Sequence, residues 1–122
     1  MFGKKKEASV PVMHYQGISG FSVDYPCRIE LKDNVFEIKR MKPETTISIA
    51  LNRIKSFSAM EESRFMLKNH GNAATTSKSG IHKYYLIVEY DKGTLIFWGT
   101  AKEYKYFIAL QHKIALSANI EL

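Results

Sequence analysis

One cysteine in 122 residues excludes an internal disulfide, so no covalent cross-link within the chain holds this fold. Cys27 itself reads as a small apolar residue in a strand. No apolar run approaches the ~18 residues that a membrane-crossing helix needs. No secretory apolar region follows the start, because Met1-Phe2-Gly3 leads straight into Lys4-Lys5-Lys6-Glu7. Together these point to a reducing, cytoplasmic setting.

The usual signatures of chemistry are missing too. His14, His70, His82 and His112 are scattered, and no pair has the spacing of a zinc site. They read as ordinary surface or half-buried histidines. Ser58, Ser63 and Cys27 lack an elbow motif and a base partner. Glu61 and Glu62 are adjacent, so in a strand they would point to opposite faces. Gly71, Gly80 and Gly93 belong to no phosphate-binding pattern. The expectation is a chain that is not an enzyme, with no metal, no cofactor and no small-molecule substrate.

What is present is one domain's worth of ordinary globular sequence. Apolar types make up 45% and charged types 25%. A chain of this length buries roughly two-thirds of its unfolded surface. Lysine plus arginine number 18 against 12 acids, for a formal charge of +6. That suits solubility, and equally an anionic partner. Residues 1–11 read as a flexible basic tail, and 12–122 as a single domain.

Patterning predicts short strands. Val12 to Gln16 is the first, followed by a Gly- and Pro-punctuated loop. Ile29 and Leu31, then Phe36 and Ile38, alternate with charged residues on either side of Asp33-Asn34. That pattern is a half-buried hairpin with a two-residue turn. Thr46 to Leu51 and Ile54 to Met60 follow, with a bulge near Lys55-Ser56. Residues 63–80 have no strand periodicity and read as a long loop, with a helical turn at Arg64 to Lys68. His82 to Tyr90 and Thr94 to Trp98 form the last hairpin. Thr100 with Glu103 three residues later is a capping box, and opens an amphipathic helix. Leu110, Ile114, Phe107 and Tyr104 share its apolar arc, broken only by Gln111. Lys102, Lys105, Lys113 and His112 share the other. Phe107 and Ile114 should be buried, and either truncation to Ala should cost ~2–5 kcal/mol.

About seven antiparallel strands and then one helix make a mainly β fold. Arg28 to Ile38, Ile47 to Phe57, and Tyr84 to Trp98 with Thr100 to Leu116 resemble the bacterial pleckstrin-homology-like (PH-like, GRAM-like) family. The resemblance implies a split barrel of two near-orthogonal antiparallel sheets, four strands then three, capped by the helix. It also implies a non-catalytic binding module. The family's inositide-binding members carry a basic cluster in the first hairpin loop. Here residues 17–27 hold Asp24 and no lysine or arginine. The family's helix tryptophan is also displaced, since Trp98 ends a strand.

The expected function is therefore a binding or adaptor module for a protein partner or for a second copy of itself. Arg64, Phe65, Lys68, His70 and Lys78 are its candidate contacts, because loops on rigid scaffolds carry binding residues. The alternative is electrostatic binding of anionic lipid or nucleic acid. It would use Lys4, Lys5, Lys6, Lys102, Lys105 and Lys113, with Phe65 and His70 able to stack on bases.

Overall fold

The computed structural model describes residues 9–41, 44–70 and 82–118, with side chains excepted at 69–70 and 114–118. The strands are β1 (Val10–Gln16), β2 (Tyr25–Lys32), β3 (Val35–Met41), β4 (Glu44–Ala50), β5 (Ile54–Glu61), β6 (Tyr84–Tyr90) and β7 (Gly93–Gly99). Two helices accompany them, α1 (Glu62–His70) and α2 (Ala101–Ala118). A 3-10 turn at Leu51–Arg53 joins β4 to β5.

Neighbouring strands are antiparallel, in the order β4-β3-β2-β1-β7-β6-β5. The four-strand and three-strand halves expected as two sheets are one hydrogen-bonded sheet, joined where β1 pairs with β7. Flat, its edge strands would lie ~29 Å apart, at about 4.8 Å per strand. Yet Ala50 and Ile54 are only four residues apart, a reach of at most ~14 Å. The sheet must therefore curl until its edges approach. It does not close, because β4 and β5 are not paired with each other.

Local chemistry explains the turns. Asp33 and Asn34 both have positive φ (54° and 63°), the two-residue turn whose twist matches the strands. The bulge in β5 falls between Ile54 and Ser56. β1 also shifts register, between His14 and Gln16, as it meets β7. Gly17 makes that meeting possible. A Cβ there would lie 2.4 Å from the Thr94 carbonyl oxygen, at a φ of +115°.

Ile29, Phe36, Ile38, Leu86, Val88 and Phe97 line the concave side with no exposure. α2 closes the open end by inserting Phe107 and Leu110. The capping box forms, with the Thr100 N–H donating to Glu103 Oε1 at 2.7 Å. Gln111, the interruption in the apolar arc, has a task. Its Oε1 accepts the Ala59 N–H of edge strand β5 at 2.8 Å. One turn earlier, Tyr106 Oη accepts the Leu31 N–H of β2 at 2.8 Å, beyond the last residue of β1 that pairs with β2. Helix α2 thus straps both halves of the sheet. Tyr106→Phe leaves that N–H without its partner, and should cost about 1–3 kcal/mol in chemical denaturation.

Three sequence readings change. The domain read as starting at residue 12 starts earlier, because β1 begins at Val10 and Arg28 holds Ser9 through its side-chain and main-chain oxygens, while residues 1–8 lie outside the described residues. The loop read over 63–80 starts as helix α1, so there are two helices. The burial expected of Phe107 holds, while the Ile114 side chain lies outside the described residues.

Candidate functional site: the outer face of the sheet

β6 and β7 carry unbroken apolar runs, Tyr84 to Val88 and Leu95 to Trp98. A strand that is apolar on both faces needs cover on both. Leu86, Val88, Leu95 and Phe97 face the concave core. Tyr85 and Ile96 face outward, and with Met60 and Phe65 they form a second, smaller core beneath α1.

This settles the place of Phe65. It is 0% exposed, stacked on Tyr85 at 3.9 Å and edge-on to Tyr15 at 5.4 Å. A ring so enclosed cannot stack on a base or meet a partner. The reading of Phe65 as a contact residue is corrected, because α1 turns this side chain inward. Its neighbours Arg64 and Lys68 are exposed. The His70 side chain, Lys78, and Lys4, Lys5 and Lys6 lie outside the described residues. Lys102, Lys105 and Lys113 are exposed together with His112 along one side of α2.

His14 departs from the reading of surface or half-buried histidines. It is 2% exposed and packs edge-on to Phe21 and Phe97. The Ile18 N–H donates to Nε2 at 3.1 Å, so Nδ1 carries the proton and donates to the Ser22 carbonyl at 2.9 Å. One imidazole thereby pins both arms of the β1–β2 loop. Among the described residues, no cluster of three metal-ligating side chains forms.

Cys27 is buried, and burial pushes its thiol up to about 12 from 9.0. A thiol so protonated is a poor nucleophile at neutral pH. The shift has a consequence for stability. Between pH 9 and 12 the unfolded thiol loses its proton while the folded thiol keeps it. Stability therefore falls as pH rises through that window, by up to about 1.4 kcal/mol per unit. Burial also raises the Tyr85 phenol, which adds to the fall above pH 10. Urea midpoints at pH 8.5 and 10.5 check this. Cys27→Val should flatten the slope.

The outer face has a pattern that no single stretch of sequence reveals. The pairing register aligns one residue from each strand. Met60 lies beside Tyr85, Tyr85 beside Trp98, Trp98 beside Met13, and Met13 beside Pro26. Continuing the β2–β3 register from Arg28↔Lys39 brings Met41 beside Pro26. The result is an apolar row across six strands. α1 covers its Met60–Tyr85 end. The other end is open: Met41 is 66% exposed and Pro26 is exposed. A groove of about 460 Å³ lies there, walled by Pro11, Tyr25, Pro26 and Met41.

The row is rigidly mounted. Trp98 donates its Nε1–H to Asp24 at 2.7 Å, and the Lys83 ammonium sits 4.5 Å from the Trp98 ring centroid. Arg40 lies over Phe21 at 4.3 Å and also faces Tyr25. A charged row runs alongside, where Arg28 stands opposite Lys39, and Glu30 opposite Glu37 comes next. Like charges directly opposite are unfavourable, and the diagonal neighbours offset them. The cations, not the acids, border the apolar row.

These features define a mainly β domain with a C-terminal helix, whose outer face is half covered by a second helix. No helix among the described residues is long and apolar enough to cross a membrane. Comparison with known proteins gives no match, whether among protein-family models, curated proteins or solved structures.

Proposed function

We propose that the chain is a non-enzymatic protein-interaction module whose outer sheet face receives an apolar segment of a protein partner. The half-covered apolar row supports this reading above all. Where α1 lies on the row, a helix covers it with an aromatic side chain, Phe65, directed inward, which supports an apolar segment of that kind as the ligand. Met13 and Met41 at the open end offer unbranched side chains that adapt to a partner's shape. Lys39 and Arg28 along the border favour a segment flanked by carboxylates. The PH-like resemblance and a cytoplasmic location belong to this reading. They rest on the order of strands and helix, and on the single Cys27.

A photo-activatable benzophenone at Met41 tests it. The expected result is a cross-link to one discrete protein, through an apolar segment, that disappears with Pro26→Asp at unchanged melting temperature. The same group at Lys105 should give no such product. The alternative, an anionic surface, rests on the exposed Lys102, Lys105 and Lys113 along α2. It takes over if Met41 captures nothing and the protein binds anionic vesicles or single-stranded DNA with steep salt dependence, lost when these three lysines become Glu.

A further inference from the structure

The two edges of the sheet are treated differently. β5 is shielded by α2, with Gln111 occupying the Ala59 N–H. β4 is paired, among the described residues, only with β3. The Leu51 N–H donates to the Asn34 carbonyl. Hydrogen bonds in an antiparallel pair recur at every second residue. Thr45, Ile47 and Ile49 therefore direct their main chain at β3. Glu44, Thr46, Ser48 and Ala50 direct theirs away from it. Exposed edges are normally guarded by charge or proline, but Thr45 to Ala50 contains neither.

We propose that β4 pairs antiparallel with β4 of a second copy about a two-fold axis through Ile47, forming a continuous sheet across two chains. This goes beyond the outer-face reading and uses a different part of the molecule. The register follows from overlap. Centred on Ile47, Glu44 meets Ala50, Thr46 meets Ser48, and all four outward-directed residues of each strand find a partner. Such an interface is self-complementary, as two-fold symmetry requires. Charge agrees with it. Glu44 of one copy arrives at the end of β4 in the other, where Arg53 and Lys92 outnumber Asp91. No like charges are brought opposite each other. Shape agrees as well. A cleft of about 380 Å³ lies beneath the edge, lined by Ile18, Ile47, Ile49 and Leu95. The incoming Ile47 and Ile49 point to that same side.

Light scattering on the full chain, from about 1 μM to about 1 mM, reads the mass across the range of weak to moderate Kd values. The expected mass rises from 14.0 kDa towards twice that value. Ser48→Pro should hold it at the monomer, since the Ser48 N–H faces away from β3, so its loss removes an edge donor and spares the β3–β4 ladder. Its circular dichroism and melting temperature verify that. Register is read by disulfides. In the paired strands Thr46 and Ser48 lie ~5.5 Å apart at Cα, within disulfide range. An equimolar mixture of Thr46→Cys and Ser48→Cys should oxidise chiefly to the mixed dimer. Buried Cys27 contributes no background in the folded protein. A monomer at every concentration overturns the proposal, and so does a dimer indifferent to Ser48→Pro that yields no mixed disulfide. The Met41 cross-link is read separately, so either idea can fail while the other stands.

Discussion

Phe107→Ala should lower stability by about 3–5 kcal/mol, the largest effect expected of any single truncation in α2. Phe107 is fully buried where the helix closes the curled sheet. Its removal leaves a cavity between rigid walls, because α2 is tied to β5 through Gln111 and to β2 through Tyr106. Those bonds hold the helix away from collapse into the gap. For a domain of this size the loss corresponds to a fall of roughly 10–20 °C in melting temperature. Calorimetry on the purified variant decides the matter. A wild-type melting temperature would contradict the docking of α2 on the sheet.

His14→Ala should cost a similar amount, about 3–5 kcal/mol, for a different reason. The ring is a packed core element, and it also satisfies the Ile18 N–H and the Ser22 carbonyl. Each of those hydrogen bonds contributes about 0.5–1.5 kcal/mol beyond the loss of the packed ring. His14→Phe separates the two contributions, since it keeps the ring and removes both hydrogen bonds. The measurement is hydrogen exchange. Both variants should lose protection first in residues 17–24, with β6 and β7 retaining theirs until global unfolding. Uniform loss across the sheet would show that His14 supports packing alone.

Much of the architecture was legible because it is written in local chemistry. The Asp33-Asn34 turn, the bulge beside Ser56 and the Thr100–Glu103 box each depend on residues close in sequence. The pairing of β1 with β7 does not, since it joins residues eighty or more positions apart. Helix α1 was legible only as a turn at Arg64 to Lys68, for another reason. Its polar, weakly periodic sequence owes its helicity to one inward anchor, Phe65, and the strands that receive it. The available clue was in β6 and β7, whose unbroken apolar runs require cover on the outer face as well as the inner. The apolar row of the outer face could not be read from any stretch of sequence. It consists of one residue per strand, and only the register brings Met41, Pro26, Met13 and Trp98 into line.

The pairing of β1 with β7 also governs how the chain is made. During synthesis β1 emerges early, yet the strand that completes it on one side follows some eighty residues later, and α2 later still. At 5–20 residues per second, that interval is about 4–16 s. Throughout it, the hairpin of β2 and β3 exposes Ile29, Phe36 and Ile38 with neither lid nor closure. Long-range pairing of this kind folds slowly. The chain therefore reaches its native state only after β7 and α2 have left the ribosome, and a nascent chain stalled before β7 should depend on chaperones to remain in solution.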